Sequence, residues 1–134
     1  VSGKFGEKYY DLTLNALRIV SGLLLMIHGG QKLFGWFGMG PMTGVWPFGV
    51  AGVLEFFGGI AIALGFYIRY VAFLEAGELA VAYFWMHAAK SHTIWPWANR
   101  GEVPILFCFI FLFLWASGGG SKTLDAWLAK RRAP

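Results

Sequence analysis

Four stretches of the chain, residues 12–34, 49–67, 69–89 and 103–119, are predominantly apolar. An α-helix rises ~1.5 Å per residue, so ~20 such residues cross the ~30 Å hydrocarbon core of a bilayer. Backbone N–H and C=O groups find no water there, and a helix satisfies them within one segment. Turn-forming runs separate the stretches: GWFGMGPMTGVWPFG after the first and KSHTIWPWANRGEVP after the third, with only GFYIRY between the second and third. The pattern predicts an all-α, integral membrane four-helix bundle. It forms one domain over 1–134, in which the GGG run at 118–120 stops the last span and a basic tail over 120–134 follows.

Four spans return both termini to one side. Lys4, Lys8, Arg18, Arg69, Lys122, Lys130, Arg131 and Arg132 would share that side, against Lys32, Lys90 and Arg100 on the other. Loops rich in Lys and Arg stay in the cytoplasm, so both termini are expected there. Trp36, Trp46, Trp95 and Trp97 then fall at the outer interface, where indole rings are enriched. The net charge of +4 does not mark a nucleic-acid binder, because the basic residues form no single patch. Only 13% of the 134 residues are charged and 57% are apolar, where a soluble domain carries ~25% charged residues. No small-residue cleavage site follows the first apolar run, which is read as a retained span and not as a signal peptide. Cys108 stands alone, so no internal disulfide or cysteine-based cluster forms. The tail SKTLDAWLAKRRAP reads either as an amphipathic segment on the anionic inner leaflet or as a solvated flank.

A charge at the bilayer centre costs at least ~2.5–3.5 kcal/mol, so ionisable residues within spans turn inward and seek partners. Counted from the inner end, Arg18 of the first span and Glu75 of the third both lie ~9 Å deep, with Glu78 one turn further. Matching depth suggests an ion pair locking these spans. The second carboxylate leaves open a proton or substrate site in the inner half. In the outer half, His28, Glu55 and His87 lie ~21–27 Å deep, with Lys32 one turn beyond His28 and Cys108 in the same layer. Glu55 is the expected partner of His28 and Lys32. At about 100° per residue, Asn15, Arg18, Ser21, Gly22, His28, Gly29 and Lys32 share one inward arc, opposite Val20, Leu23, Leu24 and Ile27.

Two histidines and a carboxylate can ligate a metal, and paired histidines can hold a haem, but neither has its spacing motif here. Among ligands, a quinone headgroup hydrogen-bonded by His28, Lys32, Glu55 or His87 fits better. A buried polar network that only fixes helix register fits the same residues. Cys108 reads as core filler, and no self-sufficient catalytic motif is present.

The runs LRIVSGLLLMIHGGQKLFG, GVLEFFGGIAIALGFYIRYVAF and AYFWMHAAKSH, in that order, resemble the DoxX family of small bacterial integral membrane proteins over roughly residues 12–125. The resemblance implies a four-helix protein of the bacterial cytoplasmic (inner) membrane. It falls on Arg18, His28, Lys32, Glu55, Arg69 and His87. Family members take their name from similarity to subunits of a quinol oxidase and of a thiosulfate:quinone oxidoreductase. The single cysteine leaves no evident sulfur-transfer chemistry.

Three functions are compatible with these features. The first is an accessory or quinone-linked subunit of a membrane redox or respiratory assembly, partnered by other membrane subunits or by copies of itself. The second is a stand-alone redox or ligand-binding protein using the outer His/Glu/Lys site. The third is a small transporter with acids lining a path, although no internal repeat supports it. The first is favoured, because short loops and the lack of a cofactor motif leave little independent machinery.

Overall fold

The computed structural model describes residues 3–134, and over them the chain is helical with turns and no strand. The helices are α1 (Lys4–Phe34), α2 (Phe48–Leu64), α3 (Ile68–Ala82), α4 (Pro96–Asn99), α5 (Glu102–Ser117) and α6 (Leu124–Arg132). A 3-10 turn, Trp36–Gly38, follows α1. α3 runs on without a break as a π-helical segment, Tyr83–Ala89. The four apolar stretches correspond to α1, α2, α3 with its π segment, and α5. α1 begins earlier than the apolar run, at Lys4, since a helix can continue into water while its apolar content ends. α2 stops at Leu64 because Gly65 turns left-handed at φ 71° and its N–H returns to the Ala61 and Ile62 carbonyls.

α1 and α2 form one antiparallel pair and α3 and α5 another, joined mainly where α2 meets α3. Glycines set the first pair's spacing. A Cβ on Gly22 would lie 2.5 Å from the Ala63 backbone nitrogen, and one on Gly59 would lie 2.6 Å from the Gly22 carbonyl oxygen. The backbones therefore touch, which is how small residues let helices associate without a large apolar core. The buried apolar core is slim: Leu25 and Ile62 from this pair meet Ala72 and Ala76 of α3 and Phe111 and Leu114 of α5.

Polarity is distributed the reverse of the way it is in water. Arg18, Glu55 and Glu75 are only 2%, 4% and 1% exposed, while Phe57, Leu106 and Phe109 are 61%, 63% and 66% exposed. Similar residues cover the outer faces of all four long helices, far beyond the scattered apolar surface of a soluble monomer. On α1 the inward arc holds Asn15, Arg18, Ser21, Gly22 and Gly29 as buried residues, with Val20, Leu23 and Leu24 outside. His28 leaves that arc and is exposed.

The end carrying the chain termini is tied by polar contacts. Asp11 accepts from Ser121 N (2.7 Å) and Ser121 Oγ (2.5 Å), and Asn15 Oδ1 accepts from Lys122 N (3.0 Å). These bonds from Ser121 hold the Asp11 carboxyl below its ordinary range. The tail expected over 120–134 is helical from Leu124 and fastened. The Thr123 side chain caps α6, and the Asp125 carboxylate accepts the Tyr67 and Ile68 amides at the start of α3 (2.9 and 3.1 Å). That second contact holds Tyr67 in a left-handed conformation, φ 46°, which is uncommon for a non-glycine residue.

Candidate functional site

At the opposite end, α2, α3 with its π segment and α5 enclose a cavity of about 650 Å³, closed on one side by α1. That volume lies within the ~300–1,000 Å³ of small-molecule sites. Its wall is mostly hydrocarbon and aromatic, including Trp46, Phe48, Trp85 and Phe107. Val50, Leu74 and Val81 line it and are also 50%, 54% and 57% exposed, so the cavity communicates with the apolar outer surface. Five ionisable side chains reach the wall: His28, Lys32, Glu55, Glu78 and His87. Four of these are the outer-layer residues singled out by depth.

Lys32 and Glu55 form an ion pair, Nζ to Oε2 at 2.5 Å, with 20% and 6% of their side chains exposed. The local sequence allows it. Gly52 lies one turn before Glu55 on α2, and a Cβ there would stand 3.0 Å from Lys32 Cβ, so the lysine stem lies flat along α2. His28 is not part of this pair, contrary to the expectation that Glu55 serves both. Its ring instead meets Phe107 edge-on, with centroids 6.0 Å apart. Cys108 does not reach the cavity wall; it is half-buried against the apolar core.

His87 is held from behind. Its Nδ1 lies 3.1 Å from the Asn99 carbonyl oxygen. Asn99, 6% exposed, gives its amide to the Tyr83 hydroxyl (3.3 Å) and the Thr93 carbonyl (3.0 Å) and accepts from Gly101 N (2.8 Å). The Tyr83 hydroxyl in turn donates to the Ile94 carbonyl. This knot pins the 93–101 segment to the π-helical stretch, and π segments inside α-helices recur at functional sites. Sequence reasoning missed Tyr83, Asn99 and the π segment. The available signal was an amide in WPWANRG between two spans, where a buried Asn must find partners.

The inner ion pair expected between Arg18 and Glu75 is not formed. Arg18 Nη1 donates to Asn15 Oδ1 (3.2 Å) and to the Gly119 carbonyl (3.1 Å). Glu75 packs its carboxyl against Gly58 of α2, one turn from Glu55, and neither oxygen has a hydrogen-bond partner. Depth alone placed the two side chains at one level. α1 packs chiefly on α2 and α3 on α5, so Glu75 meets α2 and the arginine meets the Gly118–Gly120 turn. Glu78 belongs to the cavity and not to an inner pair, and its Oε2 is buried without a partner. Among the described residues, no three His, Cys, Asp or Glu side chains are arranged to hold a metal.

The site therefore offers a hydrocarbon volume with a salt-bridged ammonium, two imidazoles and an unpartnered carboxyl on its wall. Such a site suits the polar end of an otherwise apolar molecule. The chain is 38% identical over 125 residues to an uncharacterized protein of Haemophilus influenzae, a match spanning 89% of this chain and 92% of that one. No solved structure matches it. The DoxX family model matches residues 13–88, which takes in most of α1, all of α2 and α3, and all five ionisable cavity residues, His87 at the edge of the match. The chain belongs to the DoxX family of membrane proteins.

Proposed function

We propose that the chain is a multi-pass protein of the bacterial cytoplasmic membrane, a four-span bundle forming one domain over 1–134 with both termini in the cytoplasm. It serves as an accessory, quinone-linked subunit of a membrane redox assembly and holds a quinone-type headgroup in the cavity. The observation that carries this reading is the cavity itself, an apolar volume of about 650 Å³ with His28, Lys32, Glu55 and His87 on its wall. A lipid-soluble ligand could enter from the apolar outer surface and meet donors and acceptors only at its polar end, the usual plan of such sites.

The spanning arrangement draws support from length and from charge. α1 has 31 residues, and α3 contributes 15 followed by 7 in the π segment. α2, with 17 residues, sits at the lower limit of ~17, and α5, with 16, falls just short of it. Lys4, Lys8, Lys122, Lys130, Arg131 and Arg132 gather at the end where α6 docks, as expected of a cytoplasmic face. Within α6 the Arg131 guanidinium stacks 4.1 Å from the Trp127 ring, a pairing suited to a headgroup layer of anionic lipid.

Purification of the tagged protein from its host in mild detergent tests the proposal, with solvent extraction for quinone and mass spectrometry of co-purifying proteins. Near-stoichiometric redox subunits and an extractable quinone that falls in Lys32→Ala are the expected result. A lone chain with no extractable quinone overturns it.

A further inference from the structure

The unpaired hydrogen-bonding groups on the cavity wall constrain its occupant. A backbone carbonyl only accepts, so the contact between His87 Nδ1 and the Asn99 carbonyl (3.1 Å) places the proton of the neutral ring on Nδ1. Nε2 then carries a lone pair. No described residue engages it, and the ring lies on the cavity wall. Glu78 Oε2 is a second group on that wall without a partner. Elsewhere on the wall Lys32 is anchored to Glu55 and remains a donor through its other N–H groups.

An occupant whose polar end carries carbonyl oxygens alone satisfies Lys32 and leaves His87 Nε2 facing hydrocarbon. Displacing water from an acceptor without replacing its hydrogen bond is unfavourable. A hydroxyl both donates and accepts. It can therefore satisfy Lys32 and His87 from one headgroup.

We infer that His87 is a specificity-determining binding residue, accepting a hydrogen bond at Nε2 from a hydroxyl of the occupant, so that the cavity selects the reduced, dihydroxy-aromatic form of its lipophilic ligand over the oxidised, dicarbonyl form. This rests on the reading of the cavity as a headgroup site. The Tyr83–Asn99 knot holds the imidazole in that tautomer and orientation, the service that a second partner gives a working histidine elsewhere. The π segment supplies the wider turn from which His87 and Trp85 both reach the wall.

The test is anaerobic titration of the full chain in nanodiscs with a decyl-substituted benzoquinol and with the matching benzoquinone. Quenching of tryptophan fluorescence reports binding, since Trp46 and Trp85 form part of the wall. The wild type is expected to bind the quinol about three- to tenfold more tightly, the worth of one net hydrogen bond. His87→Leu should bring that ratio close to one while still binding the quinone, and His87→Gln, which keeps an acceptor, should retain part of it. Where His87→Leu weakens both ligands together the cavity has collapsed, and the wild-type ratio and His87→Gln decide. Equal affinities in the wild type, tighter binding of the quinone, or an unchanged ratio in His87→Leu with quinone binding retained overturns the assignment. If His87→Leu does not fold, the wild-type ratio and His87→Gln decide. Failure of the wild type to bind either ligand overturns the headgroup reading of the cavity, and the inference falls with it.

Discussion

The Lys32–Glu55 pair gives the most direct energetic prediction. Glu55 sits at 6% side-chain exposure and Lys32 at 20%, with Nζ and Oε2 2.5 Å apart. Removing one member of a buried pair strands the other in low dielectric and typically costs ~3–5 kcal/mol. Because Lys32 keeps a fifth of its side chain accessible, Glu55→Gln should lie below that range, at about 2 kcal/mol, since the freed ammonium can reach solvent. Lys32→Met should be the more damaging change, at about 3 kcal/mol, since Glu55 has no such route. The double variant should lose only about 2 kcal/mol where independent sites would lose about 5, a coupling of about 3 kcal/mol, well above the ~0.5 kcal/mol at which independent sites add. Unfolding by sodium dodecyl sulfate in mixed micelles, followed by circular dichroism, measures all four proteins on one scale. Strict additivity, or Lys32→Met less harmful than Glu55→Gln, would refute the argument from asymmetric burial.

Other perturbations probe the rest of the molecule. Gly59→Val would drive a side chain into the Met26 and Gly22 backbone. Neither can yield, so the loss should reach the upper part of the ~1–3 kcal/mol seen for overpacking, read in the same micelle assay. Thr123→Ala removes the α6 cap and should cost ~1 kcal/mol, while Asp125→Ala should raise hydrogen exchange at the Tyr67 and Ile68 amides it covers. Asp11 titrates below its usual value in the folded chain because Ser121 donates to it. Its contribution is complete above the unfolded value near 3.8 and disappears as pH falls through the lower folded value. Asp11→Asn should therefore flatten that acid limb of stability against pH, and an unaltered limb would show that Asp11 does not contribute.

The helices were legible because their signal is local. Apolar runs of span length, Gly65 and Gly118 at helix ends, and Pro96 opening a short turn all act through nearby backbone and need no knowledge of the neighbours. The outer polar layer was legible for a related reason: depth along a helix is linear in residue number, so Lys32 and Glu55 could be matched by counting. The same counting failed for Arg18 and Glu75. Depth is one coordinate of three, and which helices stand side by side is fixed by packing.

By itself the sequence determined an all-helical chain with ionisable groups at particular depths inside apolar helices, because hydrophobic length and helical rise are properties of single segments. Tertiary structure alone decided that Gly22 and Gly59 bring α1 and α2 into backbone contact, that Glu75 meets Gly58 and not Arg18, and that Asn99 locks the His87 ring. It also decided that Glu78 joins the outer residues around one cavity. These are relations between side chains distant in sequence. They exist only once helix neighbours and rotations are chosen, and that choice belongs to the close packing of the whole chain.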